Sequence, residues 1–185
     1  MTRLNGKSAL TPNPAPATEA GEITCARTHD ADTLRQFYLN NIIWEPMQCD
    51  GAVQADELDY EALVGDGLGD ALIFVTSSYA GEIAGLFMFD RINPHCYEIH
   101  SALLPEFWGK GIASNLGLEA CRWMVEHTGC KKIITSVPDY NDPAYKMAMS
   151  AGMMLEGCNR KSFMKGGVLH DQAIFGFTKE ELLCQ

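Results

Sequence analysis

Leu103-Leu104-Pro105-Glu106-Phe107-Trp108-Gly109-Lys110-Gly111-Ile112-Ala113 is the stretch on which the reading of this chain turns. Before it, Tyr97 to Leu104 reads as a strand that Pro105 ends. After it, Ile112, Leu116, Ala120, Trp123 and His127 recur at spacings of four, four, three and four, one stripe of an amphipathic helix. That helix starts near Gly111, and Gly129 closes it. Gly109 and Gly111 let the backbone turn tightly and approach a ligand closely. The N–H groups of the helix's first turn then face outward with the positive end of the helix dipole behind them, a seat for a phosphate or pyrophosphate. Lys110 adds a mobile cation beside it. A plain strand-to-helix turn uses the same glycines, so this spacing alone leaves both readings open.

The elements on either side set that turn in a larger order. Residues 1–20, rich in Pro, Ala and Thr, are expected to be a flexible tail, and 21–185 a single domain. Glu22 to Arg27 reads as a first strand. Asp30 reads as the N-cap of a helix to about Asn40, and Asp56 to Val64 as a second helix. Ala71 to Thr76 and Ile83 to Phe89 read as strands about a turn at Ser78 to Gly81. Beyond the central helix come a buried strand at Lys132 to Val137 and a short helix from Asn141 to Ala151, stopped by Gly152. Met154 to Phe163 and Val168 to Thr178 form a hairpin about Lys165-Gly166-Gly167.

Composition narrows the function classes. The net charge is −10, and it resides in one segment. Between Gln36 and Asp90 there is no Lys or Arg, but Glu45, Asp50, Asp56, Glu57, Asp59, Glu61, Asp66, Asp70, Glu82 and Asp90 all occur. This balance argues against a nucleic-acid partner held through phosphates. The acidic segment either attracts a cationic acceptor such as an amine or forms a solvated face. Seven scattered cysteines without a CxxC pair suit reduced thiols, and neither a signal peptide nor a membrane span is visible. A cytoplasmic protein without a membrane partner is expected. The Gly65-to-Asp70 run precedes a strand rather than following one, so it is no dinucleotide fingerprint. No metal site is expected: Cys96 and His100 lie roughly 13 Å apart along a strand, and His95 points to the opposite face.

With the turn at 103–113, the amphipathic helix, the next strand and then Asn141-Asp142-Pro143-Ala144 ending in Gly152-Met153, the chain resembles the GNAT (Gcn5-related N-acetyltransferase) superfamily. Gly111 and Ala113 fit that family's R/Q-x-x-G-x-G/A motif, with Trp108 where Arg or Gln is usual. Asn141, Ala144 and Gly152 fit its second motif. The WGKG variant resembles the branch that acetylates ribosomal-protein and other N-terminal amines, while Ser162 to Gln172 resembles phage-encoded relatives. The resemblance implies an α/β fold with a mixed, mostly antiparallel sheet of six or seven strands flanked by helices, a central strand pair being splayed. It implies acetyl-CoA as co-substrate, with no metal. Leu103 and Leu104, on one of the splayed strands, would border the pantetheine arm. Backbone amides of Trp108, Gly109, Lys110, Gly111, Ile112 and Ala113 would hold the pyrophosphate. Asn141 would contact the arm, although it is equally a helix N-cap, and Lys146 either reaches the phosphates or lies in solvent.

The implied reaction is transfer of acetyl to a primary amine: a protein N-terminus, a polyamine or another small amine, by a monomer or homodimer. Cys96, Glu98, His100, Ala102 and Leu104 share one face of their strand. Glu98 resembles, by its distance from the turn, the strand glutamate that acts as general base in some relatives, and His100 is the alternative by its ordinary pKa. The family's usual thiolate acid, a Tyr seven residues after the motif Asn, is Ala148 here. That departure sustains a second reading: a catalytically inert relative in a binding or structural role, such as phages encode.

Overall fold

The computed structural model describes residues 21–184; the expected tail over 1–20 lies outside them. Seven strands form one sheet in the order β1-β2-β3-β4-β5-β7-β6. They are β1 (Ile23–Arg27), β2 (Leu72–Tyr79), β3 (Glu82–Asn93), β4 (Cys96–Leu103), β5 (Lys132–Pro138), β6 (Met154–Lys165) and β7 (Val168–Thr178). All neighbouring pairs are antiparallel except β4 and β5. The helices are α1 (Ala31–Tyr38), α2 (Asn41–Trp44), α3 (Tyr60–Val64), α4 (Ala113–His127), α5 (Asp142–Ser150) and α6 (Lys179–Leu183). The expected α/β class and the mixed, mostly antiparallel sheet are what the chain forms, and of the six or seven strands expected the described residues form seven.

Local chemistry accounts for the elements. Asp30 caps α1 by accepting from the Asp32 and Thr33 N–H groups, and Leu34 and Phe37 are buried beneath it. The α4 stripe is rotated from the expected one. Leu116, Ala120 and Met124 are fully buried at its centre, while Trp123 and His127 stack on each other at its flank, rings 4.7 Å apart. The segment 56–64 does not form one helix. A 3₁₀ turn at Ala55–Glu57 and the separate α3 replace it, because Asp59 caps the second turn through the Ala62 N–H. Strand β2 runs through Ser78 to Tyr79, so the turn is confined to Ala80-Gly81, and β3 extends to Asn93.

The two layers flanking the sheet carry different chemistry. Helix α4 packs across β1, β2 and β3 on one face, where the Ser77 hydroxyl donates to Leu116 O at 3.1 Å. On the other face lie the early helices, where the Tyr38 hydroxyl meets Met88 Sδ at 3.4 Å. Met88 is opposite His100 in the ladder, so His100 and its face-mate Glu98 look toward the early helices. Phe87 packs near Gly117 on the α4 side, and its ladder partner Ser101 therefore faces α4.

Candidate active site

The splayed strand pair is present. β4 and β5 pair only over Cys96–Glu98 and Lys132–Ile134. Beyond that, β3 holds β4 as far as Leu103, and β7 holds β5 as far as Pro138. The two strands part, and a cavity of about 590 Å³ occupies the wedge. Its wall includes Glu98, His100 and Leu103 of β4, Thr135 to Pro138 of β5, and Asn141, Ala144 and Ala148 at α5.

Main-chain polarity fits the opening to a peptide-like arm. The Leu104 N–H donates to Ala84 O at 3.0 Å, so ladder bonds to β3 fall on the even-numbered residues of β4. The N–H and C=O groups of Ile99, Ser101 and Leu103 consequently face the gap. The Leu103 carbonyl is occupied by the Trp108 indole N–H at 2.9 Å. Leu104 offers nothing, because its carbonyl also accepts from the Phe107 N–H.

At the narrow turn, Gly109 and Gly111 adopt φ of +71° and +73°, a left-handed backbone that disfavours any side chain. A Cβ at either position would point into open space, so what the turn leaves clear is room for a ligand. Ile112 stands at the N-cap of α4 without a side-chain cap, and the first intrahelical bond is Leu116 N–H to Ile112 O. The first-turn N–H groups of α4 are therefore unspent. One expected donor is lost: the Trp108 N–H donates to Pro105 O within a 3₁₀ turn over Pro105–Phe107. Free donors begin at Gly109. Lys110 sits over the Phe107 ring with Nζ 4.8 Å from its centre, and Lys146 is exposed on α5 outside the cavity wall. Asn141 both lines the cavity and caps α5, its Oδ1 accepting from the Ala144 N–H at 3.2 Å.

Glu98 and His100 come together in the cavity wall, both half-buried. The tyrosines go elsewhere. The Tyr140 hydroxyl donates to Pro46 O at 3.0 Å, and the Tyr145 ring packs edgewise on Phe175. Cys121 also lines the cavity, but burial pushes its thiol well up, so it stays neutral.

The opposite wall comes in part from the linker between the two early helices, which were expected together to border an acceptor; the share taken by the C-terminal hairpin was not read from the sequence. That wall consists of Ile42 and Ile43 of α2, Pro46 and Met47 of the following 3₁₀ turn, and Phe163 and Gln172 of the β6–β7 hairpin. A register shift between Asn159 and Phe163, with Lys161 at φ +54°, belongs to the hairpin strand that carries Phe163. The hairpin is strapped to the α2 segment. Lys165 Nζ meets Glu45 Oε1 at 2.8 Å and Glu45 O at 2.6 Å, while the Gly166 and Gly167 N–H groups donate to Asp50. The Asp50 carboxyl is held below its ordinary range by those bonds, chiefly the one from Gly167.

Known proteins resemble this chain in sequence or in fold. A Bacillus subtilis protein described as an SPbeta prophage-derived uncharacterized N-acetyltransferase, YokL, is 29% identical over 115 residues, covering 60% of this chain and 64% of its own length. The chain spans 58% of a second Bacillus subtilis relative, the uncharacterized N-acetyltransferase YnaD, at 25% identity. The spermidine N-acetyltransferase of Vibrio cholerae, solved with CoA and spermine, superposes with a TM-score of 0.68 at 21% identity, over 87% of this chain and 98% of that one. At 18% identity, the ribosomal-protein-S5-alanine acetyltransferase of Vibrio fischeri gives a TM-score of 0.66 over 88% of this chain and 95% of the other. These two likenesses are of fold. The acetyltransferase (GNAT) family model, however, matches residues 37–153, from α1 through the splayed strands and the glycine turn to the end of α5, and the chain belongs to that family.

Proposed function

We propose that residues 21–185 form one cytoplasmic N-acetyltransferase domain that moves acetyl from acetyl-CoA to a primary amine. The observation that carries this reading is the β4–β5 wedge, with unspent α4 N–H groups at one end and Glu98 and His100 on the far face of β4. The residues present fit acetyl-CoA, which supplies the activated acetyl group when bound. Gly109 to Ala113 and the first turn of α4 would receive the pyrophosphate. Ile99, Ser101 and Leu103 would offer ladder-like bonds to the pantetheine amides, and the Asn141 amide a further donor. Lys110 is free to swing toward the phosphates; Lys146 stays a solvent-facing cation.

Glu98, on the early-helix face, takes a proton from the entering ammonium directly or through one water, with His100 as the alternative base. The neutral nitrogen then forms a C–N bond to the acetyl carbon as the C–S bond breaks. The electron pair leaves on sulfur, and the second proton that the nitrogen sheds as it becomes the amide passes through water to that sulfur, since Ala148 replaces the family's tyrosine and Tyr140 is bonded to Pro46; the first proton leaves Glu98 for solvent. That same substitution favours the second reading, an inert GNAT-fold binding protein.

Calorimetric titration with acetyl-CoA, with Gly111→Trp as the blocked control, followed by a thiol-release assay over an amine panel, separates the two. Binding and turnover together are expected. Binding without turnover on any amine, or absence of binding by the unaltered chain, overturns the enzyme reading and leaves the inert protein.

A further inference from the structure

The acidic segment reaches the cavity only through apolar side chains; none of its carboxylates lies in the wall. Glu45 and Asp50, nearest its wall, are committed to Lys165 and to the Gly166 and Gly167 N–H groups. Glu57 closes a capping box on the Gln54 N–H, and Asp59 caps α3. Glu61 pairs with Arg35, and Asp70 pairs with Arg27. Among the described residues, Glu98 is the only carboxylate in the cavity wall. The surface opposite it is Ile42, Ile43, Pro46, Met47 and Phe163, with the neutral amide of Gln172.

From this distribution we infer that the acceptor is a primary amine with a single positive charge on an apolar carbon skeleton, not a polyamine. The inference rests on the acetyl-transfer reading above. One carboxylate receives one ammonium, and in this step it also accepts the proton that the nitrogen gives up. A second ammonium further along the same molecule would lie against aliphatic and aromatic side chains with no counter-charge, a costly burial. An alkyl or aryl group in its place is matched by the wall. The α-amine of a peptide beginning with an apolar residue and a free arylalkylamine share this chemistry.

The test is thiol release by the full chain at saturating acetyl-CoA with three acceptors: phenethylamine, a short peptide with an N-terminal apolar residue, and spermidine. Phenethylamine or the peptide should exceed spermidine in kcat/KM by about tenfold or more, and whichever leads identifies the source. Ile42→Glu, at an exposed position, supplies the missing second carboxylate and should shift the ratio toward spermidine by a comparable factor. Preference of the unaltered protein for spermidine, or no shift with Ile42→Glu, overturns the inference while leaving acetyl transfer intact. Failure to bind acetyl-CoA, or binding without turnover, removes the transfer reading itself and this inference with it.

Discussion

The two walls of the cavity are built in opposite ways. The wall proposed for the cofactor comes from main-chain groups in nearly contiguous sequence, β4, the glycine turn and the first turn of α4. The wall proposed for the acceptor is made of side chains from α2, its following turn and the β6–β7 hairpin, joined by side-chain contacts that span 116 to 120 residues. A wall of backbone amides tolerates many side chains and depends on conformation. A wall of side chains depends on identity and on the strap that holds it. Changes to the first should act on acetyl-CoA, and changes to the second on the amine.

The sharpest division between the walls is expected from Glu98→Gln, which should lower kcat by about 10²–10⁴-fold while calorimetry shows acetyl-CoA affinity unchanged. An equal loss in cofactor affinity would mean that the β4 faces are not separated as described. Gly111→Trp should weaken acetyl-CoA binding by about 100-fold, some 3 kcal/mol, from its left-handed backbone and the plugged turn. Retained affinity there would break the assignment of the pyrophosphate seat. Asn141→Ala removes a helix cap and should cost about 1 kcal/mol in denaturant unfolding, whereas Asn141→Asp, which keeps the cap, should affect cofactor binding alone.

Lys165→Ala cuts the strap. The pair is partly exposed, so stability should fall by less than about 1 kcal/mol, with the effect seen in KM for the amine. The smallest effect concerns pH. The folded carboxyl of Asp50 is depressed by two N–H donors, so its stabilising contribution is complete above the ordinary carboxylate pKa of about 4 and is lost as pH falls through the lower folded value. Asp50→Asn should flatten the acid limb of the unfolding curve in that window.

How much was legible follows the same division. The turn at 103–113 combines a strand, two glycines and a long amphipathic helix, each with its own period or punctuation, and it reads directly. The second motif reads as well, because Asn141 is at once a cap and a cavity residue. Backbone bonding was harder to read. Nothing in the residues Leu104 and Trp108 reveals that their N–H groups are spent on Ala84 and Pro105. Helix α2, four residues long, is too short to show a period, and so Ile42 and Ile43 looked like loop. Helix α6 did leave a signal: Thr178 and Glu181 form a reciprocal capping box. In α4 the bulky Trp123 drew the stripe toward itself, whereas the buried position is Met124.

The hairpin strap also orders events in time. The α2 segment leaves the ribosome some 120 residues before Lys165, the residue that anchors it. Until then its ties to the hairpin cannot form, and closing so long a loop contributes to slow folding. The cofactor wall, with partners close in sequence, has no such delay. A nascent chain ending before Gly167 would carry the glycine turn and α4 but lack part of the proposed acceptor wall, so on that reading the ability to choose an amine would be among the last properties the chain acquires.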